Sequence, residues 1–342
     1  MKRFAAHPFR LSLLLLALAL LLSVAVGSVF IPPPVLLELV KSRLLGFELP
    51  AALRPFETIL FTLRLPRTVL VALTGAALAG SGAAYQGLFR NPLADPYLIG
   101  VASGAGLGAI IAMTVRWPGT VLGLTAVPVA AFAGALLTVL IVSQMARVGR
   151  SLPVTNLILA GVAISSFATA LTSFLMINGT GELRRALVWL LGGSSMSGWK
   201  PVLAELPYVV LGLGGLLGLG HALNVMQVGE EQAQQLGLRV ERVRLLVVLS
   251  ASLATAAAVS FAGIIGFVGL VVPHVVRLVW GSDYRRLVPL SILGGATLLL
   301  VSDVLARVVM APQEIPVGII TALGGAPFFL WVLRRTKNQN FW

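Results

Sequence analysis

The sequence predicts an all-α, polytopic membrane protein of about ten transmembrane helices, folded as one transmembrane domain over residues 1–342. Three observations predict this. Hydrophobic residues make up 58% of the chain and charged residues only 11%, against about 25% charged in soluble proteins, so lipid must serve as solvent for most of the surface. The apolar residues gather into runs long enough to cross a bilayer, broken by clusters of charge and proline. The charges lie between those runs and favour one side. A formal net charge of +13 would suggest nucleic acid in a soluble protein, but in this setting sidedness matters more than the sum, and no nucleic-acid partner is expected. Cysteine is absent, which excludes disulfides and thiolate metal clusters.

Each span follows from the pattern. The first, 11–30, comes after the basic stretch 1–10 and resembles a signal peptide. Many more apolar runs follow it, so an uncleaved first span is expected. The segment 31–65 is an outer loop with prolines and mixed charge. Spans two to five fall at 66–84, 96–115, 120–145 and 155–178. Gly100, Gly104 and Gly108 share one face of span three, a small-xxx-small spacing that brings helix backbones together in lipid. Thr155 is the expected N-cap of span five. A helical stretch at 183–199 is too polar at its ends to cross. Span six is 203–222, and the longest polar interruption, 224–244, follows it. Spans seven to ten lie at 244–262, 264–280, 286–309 and 315–333, the eighth short enough to expect a bend. Spans two to five and seven to ten begin on opposite sides, which suits an inverted repeat.

Orientation follows from the basic residues. Lys2, Arg3 and Arg10 flank the first span and place the N-terminus inside. An even number of spans returns the C-terminus to the same side, where Arg334, Arg335 and Lys337 agree. The inner segments then carry 15 basic and 5 acidic residues and the outer ones 10 and 7, a balance of +10 against +3. The outer face keeps more arginine than orientation requires.

What is missing is informative too. None of the four lysines, Lys2, Lys41, Lys200 and Lys337, follows a glycine in a phosphate-loop pattern, so no nucleotide-hydrolysing site is expected. Ion-coupled carriers keep acidic or histidine residues inside their spans. Here Asp303, His221 and His274 all lie toward span ends, and no histidine pair has metal-ligand spacing; no cofactor or metal is expected. His274 reads best as a hydrogen-bonding group at a helix end. The twelve acids are dispersed, which disfavours a magnesium-dependent membrane enzyme. The pattern is that of a conduit whose energy comes from a partner.

Several motifs carry a resemblance. Arg64-Leu-Pro-Arg67 opens span two, and Asn91-Pro-Leu-Ala-Asp-Pro96 with Leu98-Ile-Gly100 joins spans two and three. Gly266-Phe-Val-Gly-Leu-Val-Val-Pro-His-Val-Val-Arg277 occupies span eight, and Asp303 to Arg307 ends span nine. Glu314-Ile-Pro-Val-Gly318 and Gly324-Gly-Ala-Pro-Phe328 build span ten. In this order, over essentially the whole chain, they resemble the FecCD-type permeases of type II ABC importers, which carry iron-siderophores, haem and cobalamin. The resemblance implies a homodimer or pseudo-dimer of ten-span subunits in lipid, two cytoplasmic ATP-binding subunits, and a substrate-binding protein outside. Iron-siderophore is the leading cargo expectation, with haem and cobalamin behind it.

The resemblance also assigns residues. It implies that Arg64, Arg67 and Arg307 meet acidic residues of the binding protein, a role suited to the planar guanidinium fork. It implies that the inner segment, with Gly229, Glu230, Glu231, Gly237, Leu238 and Arg239, docks in a groove of the ATPase; its pattern reads as a short helix stopped at Gly237 and a second short helix. Glu230 and Glu231 suit the first helix's N-terminal dipole. Val154 and Thr155 match the family's cytoplasmic gate, where small polar residues are usual and valine departs from the pattern. The lining should be weakly sticky, since a tight site would trap the cargo.

Overall fold

The computed structural model describes residues 7–27, 29–115, 120–121, 124–149, 151–178, 183–193 and 198–336. Helix α1 (Pro8–Ala25) is followed by α2 (Pro33–Leu45) and α3 (Arg54–Thr58). A helical stretch, Ile59–Arg64, then runs into α4 (Leu65–Leu88). Next come α5 (Val101–Thr114), α6 (Ala126–Met145), α7 (Val154–Asn178), α8 (Leu183–Leu190), α9 (Trp199–Gly218), α10 (Gly220–Met226) and α11 (Glu230–Gln235). The chain closes with α12 (Val240–Ala262), α13 (Val268–Trp280), α14 (Tyr284–Val308) and α15 (Val317–Thr336). A two-stranded antiparallel pairing of Thr120–Val121 with Leu124–Thr125 precedes α6.

Among the described residues seven helices are long and apolar enough to cross a bilayer, and three shorter apolar helices at Val101–Thr114, Val268–Trp280 and Val317–Val332 supply the other expected spans. The short α8 does not cross. Three expectations need amending. Residues 31–65 are largely helical rather than a loop, because Pro33 and Pro34 open α2 at positions where a missing N–H costs nothing. Span four starts at Ala126, after the strand pairing. Span five starts at Val154, so Thr155 lies inside α7 and does not cap it; the Leu157 N–H bonds the Pro153 carbonyl at 3.0 Å. Lys2, Arg3, Arg116, Arg150 and Lys337 lie outside the described residues.

Helix α4 is the hub, packed against α9, α12, α13 and α14. Its buried stretch from Thr74 to Leu88 is mostly Gly, Ala and Ser. In lipid, apolar burial does not drive association, and close backbone approach replaces it. Gly82 faces the Gly269 carbonyl and Gly75 that of Gly295, with no room for a Cβ. Gly104 and Gly108 press likewise on Gly134 and Ala130 of α6, as their spacing predicts. Helix α1 follows the same logic: it buries Ser12, Ala19 and Ser23 and leaves most of its leucines exposed.

The two four-helix groups α4–α7 and α12–α15 share a design. The second helix of each, α5 and α13, is the short one, and each follows a residue with positive φ, Gly100 (+86°) and Phe267 (+70°). The start of α14 is fixed by Asp283, which accepts from the Arg285 N–H at 3.0 Å and from Asn224 at 2.6 Å. Bonds from the Arg285 guanidinium first, then from Asn224, hold the Asp283 carboxyl below its ordinary pKa.

Candidate functional site

The polar chemistry concentrates at the two ends of the bundle. Arg285 and Arg307 mark them, at opposite ends of the 25-residue α14, roughly 35 Å apart by helix rise.

At one end Asp303, only 1% exposed, is the centre of a charge cluster. Arg67 reaches it through Nε at 3.1 Å and Nη2 at 2.9 Å, and gives Nη1 to Glu314 at 2.7 Å. Arg307 lies one turn on and pairs with Asp303 at 3.0 Å. Its remaining donors go to the end of α1: Nη1 to the Val26 carbonyl at 3.0 Å, Nη2 to the Ser23 carbonyl at 3.2 Å. Arg64 completes the arrangement by donating to the carbonyls of Val24 (2.9 Å), Ala25 (3.0 Å) and Val29. The last carbonyls of a helix have no partner within it and carry the negative end of its dipole. Two guanidiniums satisfy them here. The structure therefore gathers the three expected arginines at one place but turns two inward: Arg64 and Arg307 are each 6% exposed, whereas the Arg67 side chain keeps 31%. Below Arg67 and Asp303 a cavity of about 110 Å³ runs past Leu70 and Thr74 to Gly192 and Pro316.

At the other end a larger cavity of about 650 Å³ brings together Val154 and Thr155 with Gly229, Glu230, Glu231 and Arg90. The expected gate and the front of the expected coupling segment thus share one space. Gly237, Leu238 and Arg239 lie beyond it, at the far end of α11. Gly237 has φ +84°, with its N–H to Gln234 at 2.9 Å and the Leu238 N–H to Ala233 at 3.0 Å, a paired C-terminal cap that needs the left-handed region. The expected second short helix is not separate: Arg239 directly precedes α12. The corner exposes Val228 (54%) and Leu236 (71%) beside Glu231 and Gln232.

At the centre of this end lies a residue that no sequence motif marks. Arg244, 1% exposed, donates to Glu230 at 2.6 Å, Glu241 at 2.8 Å and the Leu152 carbonyl at 2.8 Å. Glu241 in turn accepts the Leu152 N–H at 3.0 Å. The one signal available was an Arg three residues after a Glu at the start of an apolar run. In the connection between α4 and α5, Asp95 accepts the Tyr97 N–H at 2.8 Å, and burial lifts its carboxyl to about 6. His274 packs against the rings of Phe328 and Phe329, with no hydrogen-bond partner at either ring nitrogen; the helix-end bond expected of it is not made. Among the described residues no cluster of His, Asp or Glu has the arrangement of a metal site.

Residues 15–335 match the pattern of the FecCD transport family. The chain is 50% identical over 278 residues to the cobalamin import system permease protein BtuC of Halobacterium salinarum, covering 81% of this chain and 74% of that one. It is 42% identical over 285 residues to the hemin transport system permease protein HmuU of Yersinia pestis, covering 81% and 84%. A solved inward-facing ABC transporter of metal-chelate type superposes with a TM-score of 0.82 at 30% identity, over 95% of this chain and 97% of the other.

Proposed function

The chain belongs to the FecCD transport family, and from that premise we propose that it is the path-forming subunit of an importer for a cobalt-corrin or related tetrapyrrole, driven by ATP hydrolysis on a separate subunit. At the coarser level it is an ABC importer permease of the metal-chelate, haem and cobalamin class, embedded in a membrane by several spans. One observation carries the reading that a separate subunit drives transport. The exposed helix α11 and the residues entering α7 line the same cavity, so a partner pressing on α11 acts at the mouth of the path. Two ATP-binding subunits would dock there, on Glu231, Leu236 and the turn at Gly237, Leu238 and Arg239, beneath two permease copies.

The cargo reading departs from the iron-siderophore expectation. The relatives named above carry cobalamin and hemin in their names, at 50% and 42% identity. Both hold their metal in a tetrapyrrole-derived macrocycle, a cargo that a weakly sticky path can pass. On the outer side, the binding protein would meet Arg67 and Glu314, the more exposed members of the cluster. Arg64 and Arg307 would serve that surface by holding the end of α1 behind it.

The test is reconstitution with the partner ATPase and binding protein, followed by parallel uptake of cobalamin, hemin and a ferric siderophore. ATP-dependent cobalamin uptake is expected to exceed the other two. Uptake of none of them with ATP would sink the importer reading, and siderophore uptake alone would restore the sequence-based cargo. Arg67→Glu is expected to weaken binding-protein docking about tenfold, roughly one charge-assisted pair; unchanged affinity removes Arg67 from the dock.

A further inference from the structure

We propose that Arg244 is the positioning residue through which movement of α11 reaches Val154 and Thr155. The inference deepens the functional reading above and rests on it for the identity of the driving partner. Its geometry stands alone. The guanidinium holds three acceptors from three parts of the chain: Glu230 in the first turn of α11, Glu241 in the first turn of α12, and the Leu152 carbonyl. Leu152 is gripped from both sides, since its N–H bonds the same Glu241. The peptide leading to α7 is therefore tied to a rigid planar fork whose other arm ends on α11.

Little slack lies between that grip and the gate. Pro153 follows Leu152 directly, and its ring fixes φ. Val154 then begins α7. A displacement of Glu230 shifts or tilts the guanidinium plane, and the Leu152 peptide must follow or lose its bonds. Glu230 and Glu241 keep 40% and 41% side-chain exposure, so both carboxylates stay solvated if the arginine is removed. Loss of the fork therefore breaks the linkage without stranding a buried charge. Lysine supplies a point charge on a flexible stem, satisfies fewer of the three acceptors, and gives a partial link.

The experiment has two arms. In the reconstituted importer, Arg244→Met is expected to lower cargo moved per ATP hydrolysed about tenfold, with Arg244→Lys in between, the ordinary size of a coupling between two sites. Wild-type cargo per ATP in Arg244→Met overturns the proposal. In the purified permease alone, amide hydrogen exchange is followed at Leu152, Val154 and Thr155. Glu230→Ala is expected to speed exchange at these amides in the wild-type background and to change nothing further in Arg244→Met. No response to Glu230→Ala, or the same response in both backgrounds, overturns it. Failure of wild-type ATP-driven uptake would defeat the functional reading, and the exchange arm would still decide whether the link exists.

Discussion

Replacing Arg307 with methionine tests the account of the charged end most directly. Methionine fills most of the volume and removes the charge. What is lost can be counted from the structure: the ion pair to Asp303 at 3.0 Å, bonds to the carbonyls of Val26 and Ser23 at 3.0 and 3.2 Å, and a bond to the Ser23 hydroxyl at 3.2 Å. Removing one member of a buried ion pair costs about 3–5 kcal/mol when the other is left alone. Asp303 is not left alone, because Arg67 still holds it at 2.9 Å, which brings that part toward the lower bound. The two carbonyls lose charged donors but lie at a helix end, where water or Arg64 recovers part of the loss. The net expectation is about 3 kcal/mol, or roughly 6 °C in apparent midpoint for a chain of this size. The assay is thermal unfolding in detergent with amide exchange over residues 20–31. Destabilisation should be accompanied by faster exchange at the end of α1. The double variant Asp303→Asn/Arg307→Met should fall short of the sum of the single effects, since the two share one pair. A midpoint within about 1 °C of wild type, with exchange unchanged at the end of α1, would refute the capping account.

Three further outcomes follow. At Gly237 a Cβ meets nothing within 4 Å, so cost is set by backbone alone: Gly237→Asn should be nearly neutral, Gly237→Ala about 1 kcal/mol worse and Gly237→Val about 2 kcal/mol worse, read as local exchange in α11 and as cargo moved per ATP. Gly82→Ala places a Cβ against the Gly269 carbonyl and should cost about 3 kcal/mol, visible as loss of monodisperse protein in detergent, whereas Gly214→Ala in open space should not. Asp95 carries a carboxyl raised from 3.8 to about 6 by burial. The folded state therefore binds its proton more tightly than the unfolded one, and stability falls as pH rises from about 4 to about 6, then levels. Asp95→Asn keeps the acceptor for the Tyr97 N–H, so it should match wild type at pH 4 and exceed it at pH 7 by on the order of 2–3 kcal/mol.

The membrane spans were legible because lipid imposes a single demand on sequence and structure: about twenty apolar residues with every backbone group bonded within the segment. The polar ends of 183–199 revealed α8 as a non-crossing helix for the same reason. The left-handed cap at Gly237 was legible because few residues other than glycine tolerate it. Arg64 and Arg307 were not. A basic residue at a span end can face water, a partner or the end of another helix, and α1's carbonyls lie 39 or more positions from Arg64 in sequence. Thr155 failed as a cap because Pro153 already supplies the first acceptor of α7. Arg244 was counted as one more inner cation, since nothing local shows that its acceptors come from residues 14 and 92 positions away.

The capping of α1 has a consequence for how the chain is made. One of the two clamps, Arg307, emerges 284 positions after Ser23, which it must reach. During synthesis α1 waits in the bilayer, held at its end by Arg64 and by the Ser23–Thr68 hydroxyl bond at 2.9 Å, until the ninth span has been inserted. Its fully buried positions are the small residues Ser12, Ala19 and Ser23. Final seating of the first helix is then a late event that reports on completion of nearly the whole bundle, and chains stopped short of Arg307 should remain open to membrane quality control at their N-terminal span.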